Sequence, residues 1–107
     1  MANGATVILA ATTSATQSQS FSLTQASHNQ TATVICSGLT STNKAYLQVY
    51  NPVTSAFINV KINGSDVYCD ANNNVIYVFG NGRYRIDKQG ADDVGVAVIS
   101  DMPYDVI

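Results

Sequence analysis

Phe57-Ile58-Asn59-Val60-Lys61-Ile62-Asn63-Gly64-Ser65-Asp66-Val67-Tyr68-Cys69 is the stretch whose reading decides the fold. Phe57 to Ile62 alternates in character with a period of two, and Val67-Tyr68-Cys69 follows across Asn63-Gly64. A period of two puts alternate side chains on opposite faces of a strand, whereas a helix needs about 3.6. Asn-Gly is the strongest short hairpin signal, because both residues accept the positive φ of a tight turn. This segment predicts two antiparallel strands.

Working outward, the same period recurs. Ala32, Val34 and Cys36 alternate with Thr31, Thr33 and Ile35 until Ser37-Gly38 breaks the run. Tyr46 to Tyr50 is stopped by Asn51-Pro52, Val75 to Phe79 follows Asn72-Asn73-Asn74, and Arg83 to Lys88 follows Gly80-Asn81-Gly82. Val94 to Ile99 makes a last strand, and Thr6 to Ala10 and Ser20 to Leu23 are weaker ones. No segment reads as a helix. Short strands about ten residues apart, with turn residues between them, predict an all-β fold. The expected architecture is a single-domain β-sandwich, jelly-roll or immunoglobulin-like, with eight or nine short antiparallel strands and extended termini. The whole chain, 1–107, forms the one domain. Within it, residues 1–19 read as an N-terminal arm or weak strand plus polar loop, and residues 100–107 as a C-terminal tail. That tail either folds back on its own domain or docks on a neighbouring subunit.

Composition narrows the class. The 107 residues are 46% hydrophobic but only 11% charged, with no Glu and no Trp, and Ser, Thr, Asn and Gln fill about a third of the chain. Disorder requires high charge with low hydrophobicity, and helical bundles lean on Glu, Lys, Leu and Ala. A net charge of −2 with five basic residues lacks the basic footprint of a nucleic-acid binder. The run Val7 to Ala11 is too short for a membrane span and has no Lys or Arg before it, so neither a membrane partner nor a secretory signal is expected. The chain is expected to be made in the cytoplasm, and Asn29-Gln30-Thr31 and Asn63-Gly64-Ser65 are then chance matches to glycosylation sequons.

Chemistry-bearing residues are sparse. His28, the one histidine, lies in a polar stretch with no sequence neighbour to orient it as a base, so a solvated loop position is expected. Asp92-Asp93 falls in a turn, where Asp satisfies backbone donors. Asp70-Ala71-Asn72-Asn73-Asn74 mimics the start of a calcium loop but lacks the glycine and the bidentate Glu, and fits better as a hairpin turn using Asn for positive φ. Cys36 and Cys69 read as small buried hydrophobes, a disulfide between facing strands being the alternative. Zinc needs more ligands than these two and a distant His supply. Six tyrosines suit strands first, and protein or sugar contacts second. The expectation is a protein without catalytic site, metal or cofactor.

Two stretches carry a resemblance. Ala32-Thr33-Val34-Ile35-Cys36-Ser37-Gly38-Leu39 leads into Leu47-Gln48-Val49, and Gly80-Asn81-Gly82-Arg83-Tyr84-Arg85-Ile86-Asp87-Lys88 is followed by Val94-Gly95-Val96. Over about 70 residues this pattern resembles small single-domain virion proteins of tailed bacteriophages. The motifs are strand and turn patterns rather than chemistry, and the extension Ser100 to Ile107 departs from them. The resemblance implies a capsid decoration (cement) protein on the virion surface, bound to the major capsid protein and often a homotrimer. Val7, Ile8, Leu9, Tyr104, Val106 and Ile107, in the two terminal segments, are the expected interaction residues. The alternative is a receptor- or carbohydrate-binding domain of a fibre or spike, with Tyr50, Tyr68 or Tyr77 stacking on sugar and Asn72 to Asn74 or Asn81 supplying hydrogen bonds.

Overall fold

The computed structural model describes residues 2–40 and 42–107, with side chains from residue 4 onward. Met1, the first residue of the expected arm, lies outside the described residues. Twelve strands run in the order β1 (Ala2–Thr12), β2 (Thr16–Gln17), β3 (Phe21–Leu23), β4 (Thr31–Ser37), β5 (Ala45–Asn51), β6 (Ala56–Asn59), β7 (Lys61–Ile62), β8 (Ser65–Asp66), β9 (Tyr68–Cys69), β10 (Val75–Phe79), β11 (Gly82–Lys88) and β12 (Val94–Val106). One 3-10 turn, Ala26–His28, joins β3 to β4. The domain is all-β, with ten of the strands in one strongly curled antiparallel sheet that forms a half-barrel. Its hydrogen-bonded path is β10-β4-β12-β3-β11-β5-β6, with β1 added to β12, β2 to β11 and β9 to β5.

The curl turns on β12. Its first half pairs with β4 from Gly95 to Ile99, and its end pairs with β3 at Asp105 and Val106. Pro103 sits at the change of partner, where a residue without N–H takes nothing from a ladder. The freed carbonyls there are not wasted. The buried Gln30 amide donates to the carbonyls of Met102 (3.3 Å) and Pro103 (2.9 Å), and accepts from Gln25 N–H at 3.0 Å. The expected tail is thus the continuation of the central strand, folded onto its own domain.

Alternation carries the core. The even-numbered residues Ala32, Val34 and Cys36 of β4, Tyr84, Ile86 and Lys88 of β11, and Val94, Val96 and Val98 of β12 all point inward. They meet Ile8, Phe21, Leu23, Leu47, Ile76, Val78 and Tyr104 in one continuous cluster. The expected arm is also in the fold: β1 runs antiparallel to β12 along eleven residues, with bulges that start near Val7 and Leu9.

Twelve strands replace the expected eight or nine because several are interrupted. The run Phe57 to Ile62 leaves the sheet at Val60, and β7 and β8 form a separate two-stranded ribbon. Asn63 (φ 53°) and Gly64 (φ 81°) make the tight turn between them, as Asn-Gly predicts. The Asn72–Asn74 turn differs from expectation. None of its residues has positive φ. Asp70 Oδ1 instead accepts from the N–H of Asn72 (2.9 Å) and Asn73 (2.8 Å). Asp70 and Asn73 exchange backbone hydrogen bonds (2.8 and 3.3 Å) that close the turn as in a hairpin, although β9 and β10 then pair with β5 and β4 rather than with each other.

Candidate interaction surface

Strands β10, β4, β12 and β1 lie side by side, and their outward residues are the odd-numbered ones. Two rows cross them: Val75-Ile35-Ala97-Val7 and Tyr77-Thr33-Ile99-Ala5. No outward position of these rows is charged. Tyr77 (76% exposed), Phe79 (78%) and Val7 (64%) are large apolar side chains left mostly in water. Beside them a shallow depression of about 500 Å³ is lined mainly by Val7, Leu9, Ala11, Ile35 and Ala97, with Ser37 and Asp93 also in its wall. A fully buried aromatic ring hides 150–250 Å², so Tyr77 and Phe79 alone leave roughly 300 Å² of ring surface in water. With Val7 and Ile99 the patch reaches on the order of 500 Å², near the upper end for a monomeric protein.

The six expected interaction residues fall in three places. Val7 and Leu9 belong to this face. Ile8 and Tyr104 are each 2% exposed and sit inside the chain's own core, out of reach of a second subunit. The Tyr104 hydroxyl donates to Gly4 O (2.8 Å) and shares a hydrogen bond with Thr6 Oγ1 (2.8 Å), pinning β1 to the end of β12. Val106 packs partly against the core, and exposed Ile107 donates its N–H to Ser20 O on the other half of the sheet. Phe79, Ile35, Ala97 and Ile99 escaped the sequence reading, and Tyr77 entered it only as a residue that would stack on sugar. The signal was there: Val34-Ile35, Val98-Ile99 and the whole of Val75 to Phe79 are apolar at both parities, as in a strand covered on both faces.

The remaining candidates are dispersed. His28 is exposed in the 3-10 turn, with only Ser27 Oγ against its Nδ1 at 3.3 Å. Asp92 accepts from Thr40 N–H (2.7 Å) and Thr40 Oγ1 (2.9 Å), and these bonds hold its carboxyl below the usual range. Cys36 and Cys69 are both fully buried free thiols in contact with each other, and the Cys69 sulfur together with burial pushes the Cys36 thiol well up. Among the described residues no group of three or more His, Cys, Asp or Glu could hold a metal ion, and no helix is long and apolar enough to cross a membrane. Tyr68 shares a depression of about 410 Å³ with Asn72 and Asn73, whereas Tyr77 and Phe79 line a smaller one of about 160 Å³ with Val60, Ile62 and Val67. Compared with known proteins, the chain matches no family model and no curated relative.

Proposed function

We propose that this chain is a capsid decoration protein that docks through the apolar face of β10, β4, β12 and β1 onto a major capsid protein. The observation that carries the reading is that face: four strands wide, uncharged in its central rows, and topped by Tyr77, Phe79 and Val7. A stable protein interface buries about 800 Å² per partner, so the patch of roughly 500 Å² is its apolar centre and the surrounding Ser and Thr its rim. Contacts of this kind are hardly screened by salt, which suits a protein that must hold a shell together. Binding only the assembled shell stabilises it by mass action. The reading takes the fold as a sandwich of jelly-roll or immunoglobulin type, the two halves of the curled sheet being its layers. It takes the unit as the homotrimer that the resemblance implies, on the outer virion surface. Decoration works by binding, so no catalytic residue, metal or cofactor is assigned.

The test is cosedimentation with capsids stripped of the protein. Tyr77→Asp and Val7→Asp alter only exposed positions, so stability should change by about 0.5 kcal/mol or less. Each variant should lose binding at least tenfold, and the wild type should bind as well in 0.5 M NaCl as in 0.1 M. Wild-type binding by both variants would overturn the assignment of this face.

A further inference from the structure

The opposite half of the sheet has a different chemistry. On the outside of β11, Arg83 and Arg85 stand two residues apart. Each guanidinium is fixed by its Nε and by a ring. Arg85 Nε donates to Gln48 Oε1 at 2.8 Å, and its guanidinium carbon lies 4.0 Å from the Phe57 ring centre. Arg83 Nε donates to Ser20 Oγ at 2.8 Å, with its guanidinium 5.5 Å from both Tyr50 and Phe57. Those two rings brace each other edge to face at 5.3 Å. The Gln48 amide is held in turn, donating Nε2 to Asn59 Oδ1 at 3.0 Å.

Neither arginine is held by Asp66, Asp87 or Asp92, and the Ser20 Oγ that accepts from Arg83 in turn donates to Ile107 O at 3.4 Å. Lys61 takes Asp66 at 2.7 Å, Asp87 accepts from the amides of Gln17 and Gln89, and Asp92 is held by Thr40. Arg83 and Arg85 are half-buried residues whose guanidinium groups are each fixed through Nε, on a chain whose net charge is −2. Such a fork matches a carboxylate, and little side-chain entropy is left to lose on binding because the forks are already ordered. Next to Arg85, along β5 and β6, runs an open groove of about 710 Å³ lined by Gln48, Asn59 and Lys61 together with the apolar Val49, Phe57, Ile58 and Val60.

We infer that this face binds an acidic saccharide, the sugar carboxylate on Arg83 and Arg85 and the ring hydroxyls on Gln48, Asn59 and Lys61 in the groove. A sugar fits better than an acidic peptide. Peptides that bind sheets add as a strand at an edge, whereas the two guanidinium groups stand on β11, an interior strand flanked by β3 and β5 that offers side chains only. The groove itself reaches the edge strand β6, so hexaglutamate is the arm that tests a peptide added there. The site lies on the opposite half from the docking face and does not depend on that reading.

Isothermal titration with the trisaccharide of galacturonic acid tests it, with galactotriose as the neutral counterpart and hexaglutamate as the acidic peptide. The acidic trisaccharide should bind and weaken as NaCl rises, and galactotriose should not bind. Arg83→Gln and Arg85→Gln should each weaken binding at least tenfold, while Arg85→Lys, which keeps the charge but loses the fork, falls between. Val7→Asp, on the other face, should bind like the wild type. Thermal unfolding of each variant separates a lost site from a lost fold. No binding of the trisaccharide, unchanged binding by folded Arg83→Gln and Arg85→Gln, or tighter binding of hexaglutamate would overturn the inference.

Discussion

Lys88 lies fully buried at the end of β11, and its ammonium donates to the carbonyls of Ser14 and Gly90, each at 2.9 Å. It ties the turn after β1 to the loop before β12 without a carboxylate in contact. Hydrogen bonds from a charged donor contribute about 1.5–3 kcal/mol each, and removing the donor leaves two carbonyls short of a partner. Lys88→Met, similar in volume, should therefore lower unfolding stability by roughly 2–4 kcal/mol in a urea titration. The inward position of Lys88 was legible, since it shares parity with Tyr84 and Ile86. Its partners were not, because Ser14 comes from 74 residues away and only the fold brings it there. Asp92 allows a pH prediction. Its carboxyl is held below the ordinary value by the Thr40 backbone N–H, so the charged form favours the folded state. That contribution is complete above the ordinary carboxyl pKa of about 3.9 and is lost as pH falls through the lower folded value. In thermal melts Asp92→Asn should be less stable than wild type near pH 6, and the gap should narrow as the pH falls below the ordinary carboxyl value of about 3.9.

At the scale of elements, β1 and β12 make most of the difference between the chain as read and the chain as folded. Strand type and turn chemistry were legible wherever the pattern was local: β4, β5, β10 and β11 lie within a residue or two of the alternating runs, and Asn63-Gly64 turns as expected. The termini were not. Ala2 to Thr12 is small and weakly patterned, and becomes a long strand only because β12 offers it a ladder. Residues 100–107 contain Pro103 and two aspartates, which argue locally against a strand, yet Gln30 and Tyr104 hold the bend in place. Gly38 marks a similar non-local constraint. It has φ 107°, and a Cβ there would strike the backbone carbonyl of Asp93, so the break after β4 is also a close crossing with the entry to β12. Tyr104→Phe keeps the ring and deletes the hydroxyl that Gly4 and Thr6 share. The expected cost is about 1–3 kcal/mol. Hydrogen exchange should read the change first at the amides of β1, with β5 and β11 protected as before. Uniform loss of protection across both halves would show that β1 is not held separately by this hydroxyl.

The whole molecule carries two outer surfaces of different chemistry on one curled sheet, a face whose central rows are apolar and uncharged and a face of arginine, tyrosine and amide side chains. Composition at 11% charge hinted at unscreened contacts but not at their segregation, which depends on which strands neighbour each other. Runs apolar at both parities marked the first face. The second was hidden because Arg83 and Arg85 sit in a strand whose alternation looks ordinary, and the rings and amides that fix them come together only in three dimensions. A decoration role makes a numerical demand that neither a fibre domain nor a free binding protein shares: one layer of copies over the shell. Quantitative mass spectrometry of purified virions, counting this chain against the major capsid protein, measures that demand directly. The account predicts hundreds of copies in a simple ratio to the capsid protein. A handful of copies, or none, would contradict it.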